Sequence, residues 1–310
     1  MPTYKTGLVS VVIPTRGRSN TLVRSVQSVL KQTYTNLEVL IVDDNDGGSE
    51  LSDWIKNLVN DFADTRVKLV QQKYHINGAA ARNAGIKVAC GEYIAFLDDD
   101  DWWESEKLEL QVKCLSSLDE TYGLVTCMVK FYLRGSLKRA SLPYKDGFVC
   151  REVASRCFDI GIGAPLIRRV ALDETGYFDE RLCRMQDIQL LTFLCSRYKV
   201  FLLKKYLYCI CGDDDRNRKS LNVSDIKENY MRSIQSVLNT MGDRDRLFIR
   251  AMQDFDMGYS FLKARRYSLA VPLILSVFKD FEVLKYALAR AVVRIKEQYL
   301  KLYYLKRYSK

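Results

Sequence analysis

Short apolar runs that stop at polar residues, with helically spaced stretches between them, constrain this chain more than any other feature. Val9, Val11, Val12 and Ile13 form a near-continuous apolar run closed by Pro14. Such a run suits a strand of a parallel sheet, which is covered on both faces and so does not alternate. Leu22, Val23, Val26, Val29 and Leu30 then recur at helical spacing, with Ser19, Asn20 or Thr21 available as a cap. Residues 37–42 predict a second strand, ending in Asp43, Asp44 and Asn45. Leu51, Trp54, Ile55, Leu58, Val59 and Phe62 mark a second helix, and residues 67–70 a third strand. The small residues of 77–86 allow a further helix to lie close on a sheet. Strand and helix in alternation predict an α/β fold, Rossmann-like, with a mostly parallel central sheet flanked by helices.

The fourth run, Ile94, Ala95, Phe96 and Leu97, ends in four carboxylates, Asp98, Asp99, Asp100 and Asp101, and then Trp102. At the carboxyl end of a strand in an open α/β sheet the chain meets the crevice where ligands bind. Four adjacent carboxylates repel one another, and a divalent cation would neutralise them. With no Cys or His beside them, such oxygen donors favour Mg2+ or Mn2+ over zinc, and a metal held by few protein groups usually holds a phosphate as well. The same acids would equally suit the N-terminus of the helix expected from about residue 105 to 118. The residues alone leave both readings open. Asp43 and Asp44 are similarly placed to bind a ribose or base, or to close an Asx turn with Asn45, Asp46, Gly47 and Gly48. Arg82 would carry a cation towards the crevice, or lie on the surface.

Composition narrows the class. The chain has 310 residues, 48% of them hydrophobic, ample for a packed core. Its net charge of +10 raises the expectation of phosphorylated, nucleic-acid or anionic-lipid partners. Nine cysteines without paired C-x-x-C spacing indicate neither a disulfide framework nor a zinc site, which fits a reducing cytoplasm. The N-terminus lacks the apolar core of a signal peptide, and no run approaches the ~20 residues of a membrane span.

Four segments together resemble the successive signatures of family-2 glycosyltransferases: Val11-Val12-Ile13-Pro14-Thr15, Val42-Asp43-Asp44-Asn45, Ala81-Arg82-Asn83-Ala84-Gly85 and Phe96-Leu97-Asp98-Asp99-Asp100-Asp101. The resemblance covers roughly the first two hundred residues and rests on the order and spacing of the four. It implies the GT-A fold and transfer of a sugar from a nucleotide-diphosphate donor, with UDP the commonest nucleotide, and with inversion at the anomeric carbon. By the same resemblance Thr15, with Arg16 beside it, and Asp44 match positions that contact the donor base and ribose, Asp43 being second choice. Asp98 to Asp100 match the acidic motif for ribose and metal, with Asp100 assigned to Mn2+ or Mg2+, Asp99 or Asp98 to the sugar or a metal-bound water, and Asp98 also available as a metal ligand. Arg82 joins the donor side.

An inverting displacement needs a carboxylate to take the acceptor proton. Gly176-Tyr177-Phe178-Asp179-Glu180 followed by Gln186-Asp187 resembles the family's segment in which a Glu-Asp pair opens a helix. Gln186 replaces the first acid; Asp187 keeps the second and is the implied base, although an ordinary helix-opening Asp would look the same. Residues 161–165, rich in Gly and Pro, either line the acceptor pocket or form an ordinary turn. Residues 206–211 predict an edge strand, followed by a charged loop in which Arg216 or Arg218 would clamp the donor diphosphate.

From Asp225 onward the pattern is helical, so the expected organisation is a glycosyltransferase domain over 1–220 and a helical region over 221–310. Residues 257–275 resemble one helix-turn-helix unit. Residues 285–310 carry eight bases against the single acid Glu297, interleaved with apolar residues and tyrosines. That pattern predicts an anionic membrane surface as partner, with a homo-oligomer contact or a nucleic-acid patch as competitors. No ordered set of RNA-binding aromatics is present, so no specific nucleic acid is expected. The leading expectation is a metal-dependent transferase acting on a saccharide or lipid-linked acceptor in surface glycan synthesis, in the cytoplasm or on the inner face of its membrane. The competing class is an inactive nucleotide-sugar-binding or scaffold protein, favoured only by Gln186.

Overall fold

The computed structural model of the protein describes residues 4–17, 19–141, 144–158, 160–212 and 223–296. Four parallel strands form one half of the sheet: β1 (Lys5–Thr15), β2 (Leu37–Asp43), β3 (Val67–Gln71) and β4 (Gly91–Phe96). Their crossovers are α1 (Ser19–Leu30), α2 (Glu50–Asp61) and α3 (Gly78–Val88). The order β3-β2-β1-β4 means that the chain builds outwards from β1 on one side, then returns to add β4 on the other. The reversal opens a crevice at the carboxyl ends of β1 and β4, where ligands of such sheets bind.

The near-continuous apolar runs are covered on both faces. Val11, Ile13 and Ile41 pack under α1 and α2 against Leu22, Val26 and Ile55. Val12, Leu40 and Phe96 face the other way, against Ala81 and Ile86 of α3 and residues further along the chain. The small residues of α3 have a measurable use: a Cβ on Gly85 would lie 2.4 Å from Val12 Cγ1, so only glycine lets this helix sit so low on the sheet.

After the acidic turn come β5 (Trp102–Trp103), α4 (Lys107–Ser117) and β6 (Tyr122–Leu133), the last of which hairpins into β7 (Ser136–Ala140). Then follow α5 (Cys150–Ala154), β8 (Leu166–Arg168), α6 (Arg169–Thr175), α7 (Gln186–Arg197) and β9 (Lys199–Cys211). The short β8 runs antiparallel between β4 and β6 and joins the two halves of the sheet. The expected edge strand over residues 206–211 is corrected here. It is the end of a thirteen-residue strand lying inside the sheet, parallel to β6 and antiparallel to β5. Tyr208 and Cys209 on it are buried, which an edge would not have required. Neither β7 nor β8 is expected from the sequence: five and three residues are too few to show a period of two. All nine cysteines are free thiols.

The C-terminal part is helical: α8 (Val223–Ser233), α9 (Gln235–Thr240), α10 (Asp243–Lys263), α11 (Tyr267–Leu275) and α12 (Phe281–Lys296), with a 3-10 turn over Ser276–Lys279. It is seated on the α/β part through a buried cluster of Tyr230, Ile234, Leu238 and Ile249 with Ala154 of α5 and Ile188 of α7. Among the described residues no helix is long and apolar enough to cross a membrane.

Candidate active site

Three polar groups come together because adjacent parallel strands end together. Thr15 pairs in register with Asp43, and Leu97 N–H donates to Val12 carbonyl, so the ends of β1, β2 and β4 lie side by side. The four aspartates then turn sharply, Asp101 N–H donating to Asp98 carbonyl at 3.1 Å. In so tight a turn successive side chains point in different directions, and each acid meets a different neighbour. Asp98 accepts from Arg82 Nη2 at 2.5 Å. Asp99, almost fully buried, accepts from Thr15 Oγ1 at 2.7 Å. The main-chain carbonyl of Asp100 takes a hydrogen bond from Arg24 of α1, whose guanidinium lies 4.4 Å from the centre of the Trp102 ring.

Asp101 turns inwards. It accepts from the Tyr208 hydroxyl and from Cys211 N–H at 2.8 Å. Burial, and after it the charges of Asp98 and Asp100, pushes its carboxyl well above the usual range. Burial likewise raises Tyr208. The aspartate therefore ties the acidic turn to β9 and is the least suited of the four to face a ligand.

The two acids after β2 also divide. Asp43 is fully buried, accepting from Asn45 N–H at 3.0 Å and from the Ser52 hydroxyl on α2, so it shapes the turn. Asp44 instead meets the segment after β3, accepting from Gln72 Nε2 at 3.1 Å and from His75 Nδ1 at 2.8 Å. The other ring nitrogen of His75 lies 2.8 Å from Arg16 Nη1. An arginine only donates and a carboxylate only accepts, so the partners assign the neutral ring with its proton on Nδ1. Burial raises the Asp44 carboxyl, and His75 and Arg16 act against that rise. His75 is the one histidine of the chain, and sequence reasoning passed over it. Its neighbours Lys73 and Tyr74 carry no pattern that would have marked it.

Arg82 is set by α3, whose N-cap Asn77 accepts from Ala79 and Ala80 N–H. Its guanidinium also reaches Gly78 carbonyl at 3.2 Å and lies over the Phe178 ring. Burial works against its charge, but Asp98, and beyond it Asp187, hold the guanidinium above its ordinary value. Asp187 sits in the first turn of α7, which Met185 opens in a left-handed conformation with φ 62°. The preceding Gly-Tyr-Phe-Asp-Glu segment is fastened to α3 from both ends of one amide: Asn83 donates to Phe178 carbonyl at 2.9 Å and accepts from Phe178 N–H at 3.1 Å. Asn83 and Asn77 also bind Glu180. Gln186 donates to Leu182 carbonyl and closes the turn before the helix. Arg82, Asp98 and Asp187 are thus brought within electrostatic reach from three elements far apart in the chain.

The Gly-Pro run over residues 161–165 packs on the same centre. Trp103 Nε1 donates to Gly163 carbonyl at 2.9 Å, and the Tyr208 ring covers both glycines. Arg216 and Arg218 lie outside the described residues.

Among the described residues no three His, Cys, Asp or Glu side chains stand together in a set that would hold a metal by themselves. Mg2+ or Mn2+ at a nucleotide site needs only one or two carboxylates, the phosphates completing the shell. Asp98 and Asp100, alternate residues of one turn, are donors of that chemistry and fit.

The family model described as Glycosyl transferase family 2 matches residues 10–204. In sequence, the UDP-Glc:alpha-D-GlcNAc-diphosphoundecaprenol beta-1,3-glucosyltransferase WfgD of Escherichia coli is 43% identical over 118 residues, 37% of this chain and 45% of that protein. WfaP of Escherichia coli, described by the same activity, is 37% identical over 175 residues, 54% of this chain and 62% of that protein. The chain therefore spans less than two thirds of the length of either relative. Among solved structures, Staphylococcus aureus TarS 1-349 with UDP-GlcNAc superposes with a TM-score of 0.66 at 20% identity, covering 86% of this chain and 78% of that one. The mannosyltransferase PcManGT from Pyrobaculum calidifontis, in complex with GDP-Man and Mn2+, gives 0.59 at 16% identity, covering 97% and 83%. Likenesses at these identities establish the fold, which is GT-A. The family model covers well over half of the chain and takes in the strand-end acids, Arg82 and the first turn of α7, so the chain belongs to glycosyl transferase family 2.

Proposed function

We propose that the protein transfers a sugar from a UDP-sugar to a hydroxyl of a saccharide or lipid-linked acceptor, with inversion, in the synthesis of a surface polysaccharide. The convergence of Arg82, Asp98 and Asp187 at the ends of β1 and β4 carries the reading. UDP is favoured by WfgD and WfaP, whose names specify UDP-Glc and a diphosphoundecaprenol-linked acceptor, and by the TarS complex with UDP-GlcNAc. Surface polysaccharide is favoured by the amylovoran biosynthesis glycosyltransferase AmsB of Erwinia amylovora, 29% identical over 189 residues. A lipid-linked acceptor would bring the reaction to the inner face of the membrane.

In this reading Asp44, oriented by His75 and Gln72, accepts hydrogen bonds from the donor base, while Thr15 holds Asp99 towards the ribose. Arg82 holds Asp98 in place through their ion pair at 2.5 Å. Asp98 and Asp100 would hold Mn2+ or Mg2+, which when bound neutralises the charge growing on the leaving diphosphate. Asp187 takes the acceptor hydroxyl proton as the oxygen attacks the anomeric carbon from the face opposite the diphosphate. Asp187 lies close enough to Arg82 for its charge to help hold that guanidinium above its ordinary value, which couples the base to the donor side.

Asp187→Asn is the deciding variant. Calorimetric titration with UDP and Mn2+ should give wild-type affinity, while transfer from the UDP-sugar falls by about 10²–10⁴, the usual worth of a positioned base. Binding of UDP by a wild-type protein that neither transfers nor hydrolyses any UDP-, GDP-, dTDP- or CDP-sugar would instead support the scaffold reading, for which Gln186 is the one feature in favour.

A further inference from the structure

Helix α11, Tyr-Ser-Leu-Ala-Val-Pro-Leu-Ile-Leu, has no charged residue, and its two faces meet different surroundings. Ala270, Leu273 and Ile274 turn towards α10, where Gly258 admits them: a Cβ there would stand 3.0 Å from both Leu273 and Ile274. Val271, Pro272 and Leu275 lie on the opposite side at helical spacing, exposed. A helix apolar all round is a buried helix, yet this one is covered on one side only. Further along the chain Phe278 and Phe281 are 63% and 83% exposed, and Leu288 on α12 is exposed as well. So many large apolar side chains left exposed within one short segment mark an interaction surface.

The charges around this face select the partner. From Met257 to Lys279 the chain has no acid, while Lys263, Arg265 and Arg266 stand exposed in the turn that joins α10 to α11, and Lys285 lies between Phe281 and Leu288. Of the acids flanking this stretch, Asp256 is buried against Arg156, Asp280 caps α12 through Glu282 and Val283 N–H, and Glu282 is paired with Arg151 and Arg244. We propose that the outer face of α11 and the start of α12 dock on an anionic lipid bilayer. The apolar row would enter the interface with the turn cations against the lipid headgroups. A second copy would require acidic complementarity, which the exposed part of this face does not offer to itself. The proposal uses none of residues 297–310, and it does not depend on the donor reading above.

The test is co-sedimentation of the full chain with vesicles of phosphatidylcholine alone and of phosphatidylcholine with 30% phosphatidylglycerol, together with light scattering to follow mass. Wild type should bind the anionic vesicles and remain monomeric without them. Val271→Ser with Leu275→Ser and Phe278→Ser should reduce partition about a hundred-fold. Arg265→Ala with Arg266→Ala should reduce it about twenty-five-fold on anionic vesicles and little on neutral ones. Melting temperatures would show the variants folded, and Phe281→Trp, its emission shifting to the blue with vesicles, reports insertion without removing apolar surface. The proposal is overturned if wild type does not bind, if the variants bind as wild type does, or if the apolar variants instead dissolve a dimer.

Discussion

Gly163→Ala tests whether the centre of the site is packed as described. Neither Gly161 nor Gly163 is among the residues of positive φ, so alanine is conformationally allowed at both. The two differ in clearance. An added Cβ at Gly161 meets Tyr208 Cε1 at 3.2 Å, which a few tenths of an ångström of movement relieves. At Gly163 it meets Tyr208 Cζ at 2.5 Å, Cε2 at 2.6 Å and the hydroxyl at 2.8 Å, so the ring itself must move. That ring is 1% exposed, so it moves only by displacing its neighbours. Overpacking of this kind costs about 1–3 kcal/mol. If the ring moves, its hydroxyl also leaves Asp101, and an unsatisfied buried partner adds about 1–3 kcal/mol. Gly163→Ala should therefore lose about 2–5 kcal/mol in urea unfolding. Gly161→Ala should be near neutral, since the unfolded chain also loses about 0.4–1 kcal/mol of entropy advantage at a compatible site. Donor affinity should fall with Gly163→Ala alone, because Asp101 anchors the acidic turn to β9. Introducing Tyr208→Leu into the Gly163→Ala protein should cost less than in wild type. Equal stability of the two glycine variants would refute the packing argument, as would strict additivity in the double variant.

Three further outcomes follow from other parts of the site. Arg82→Met should weaken donor binding by about 2–3 kcal/mol in titration calorimetry, since it leaves Asp98 unpaired among like charges, and Arg82→Lys should restore little because the fork to Asp98 and Gly78 is lost. His75→Phe should reduce UDP affinity about ten-fold, with partial recovery in His75→Asn, whose amide can still donate to Asp44; unchanged affinity in His75→Phe would remove His75 from the donor side. Lys107 is fully buried, 3.9 Å from the centre of the Trp103 ring and bonded to Gln111, and burial lowers its pKa from 10.5 to about 8. Its folded pKa lies below the unfolded one, so the penalty is absent above about pH 10.5, grows as pH falls towards 8, and is complete below that. The full penalty is about 3 kcal/mol, offset by about 1 kcal/mol for the Gln111 acceptor that a replacement strands. Lys107→Met should thus raise the melting temperature at pH 6–7, with the advantage shrinking in melts above pH 8.

Much of the scaffold is legible in the sequence, because the signals are local. Val11 to Ile13 and residues 37–42 show their burial on two faces by lacking alternation, and α1 and α2 show theirs by period. The pieces that escaped are those whose identity depends on a distant partner. Residues 206–211 carry the pattern of any short strand, and only their pairing with both β6 and Trp102–Trp103 places them inside the sheet. His75 has no local signal, and its role exists only because β3 returns beside β2 and sets it between Asp44 and Arg16.

The acidic turn draws the division most clearly. By itself the sequence determined that a cluster of carboxylates follows a buried strand at the mouth of an α/β crevice, since covalent order and apolar periodicity suffice for that. Asp98, Asp99, Asp100 and Asp101 are chemically identical, so nothing local distinguishes them. Only the tertiary structure gave Asp98 to Arg82, Asp99 to Thr15 and Asp101 to Tyr208. A tight turn sends neighbouring side chains in different directions, and what each one meets is set by strands and helices that the sequence holds far away.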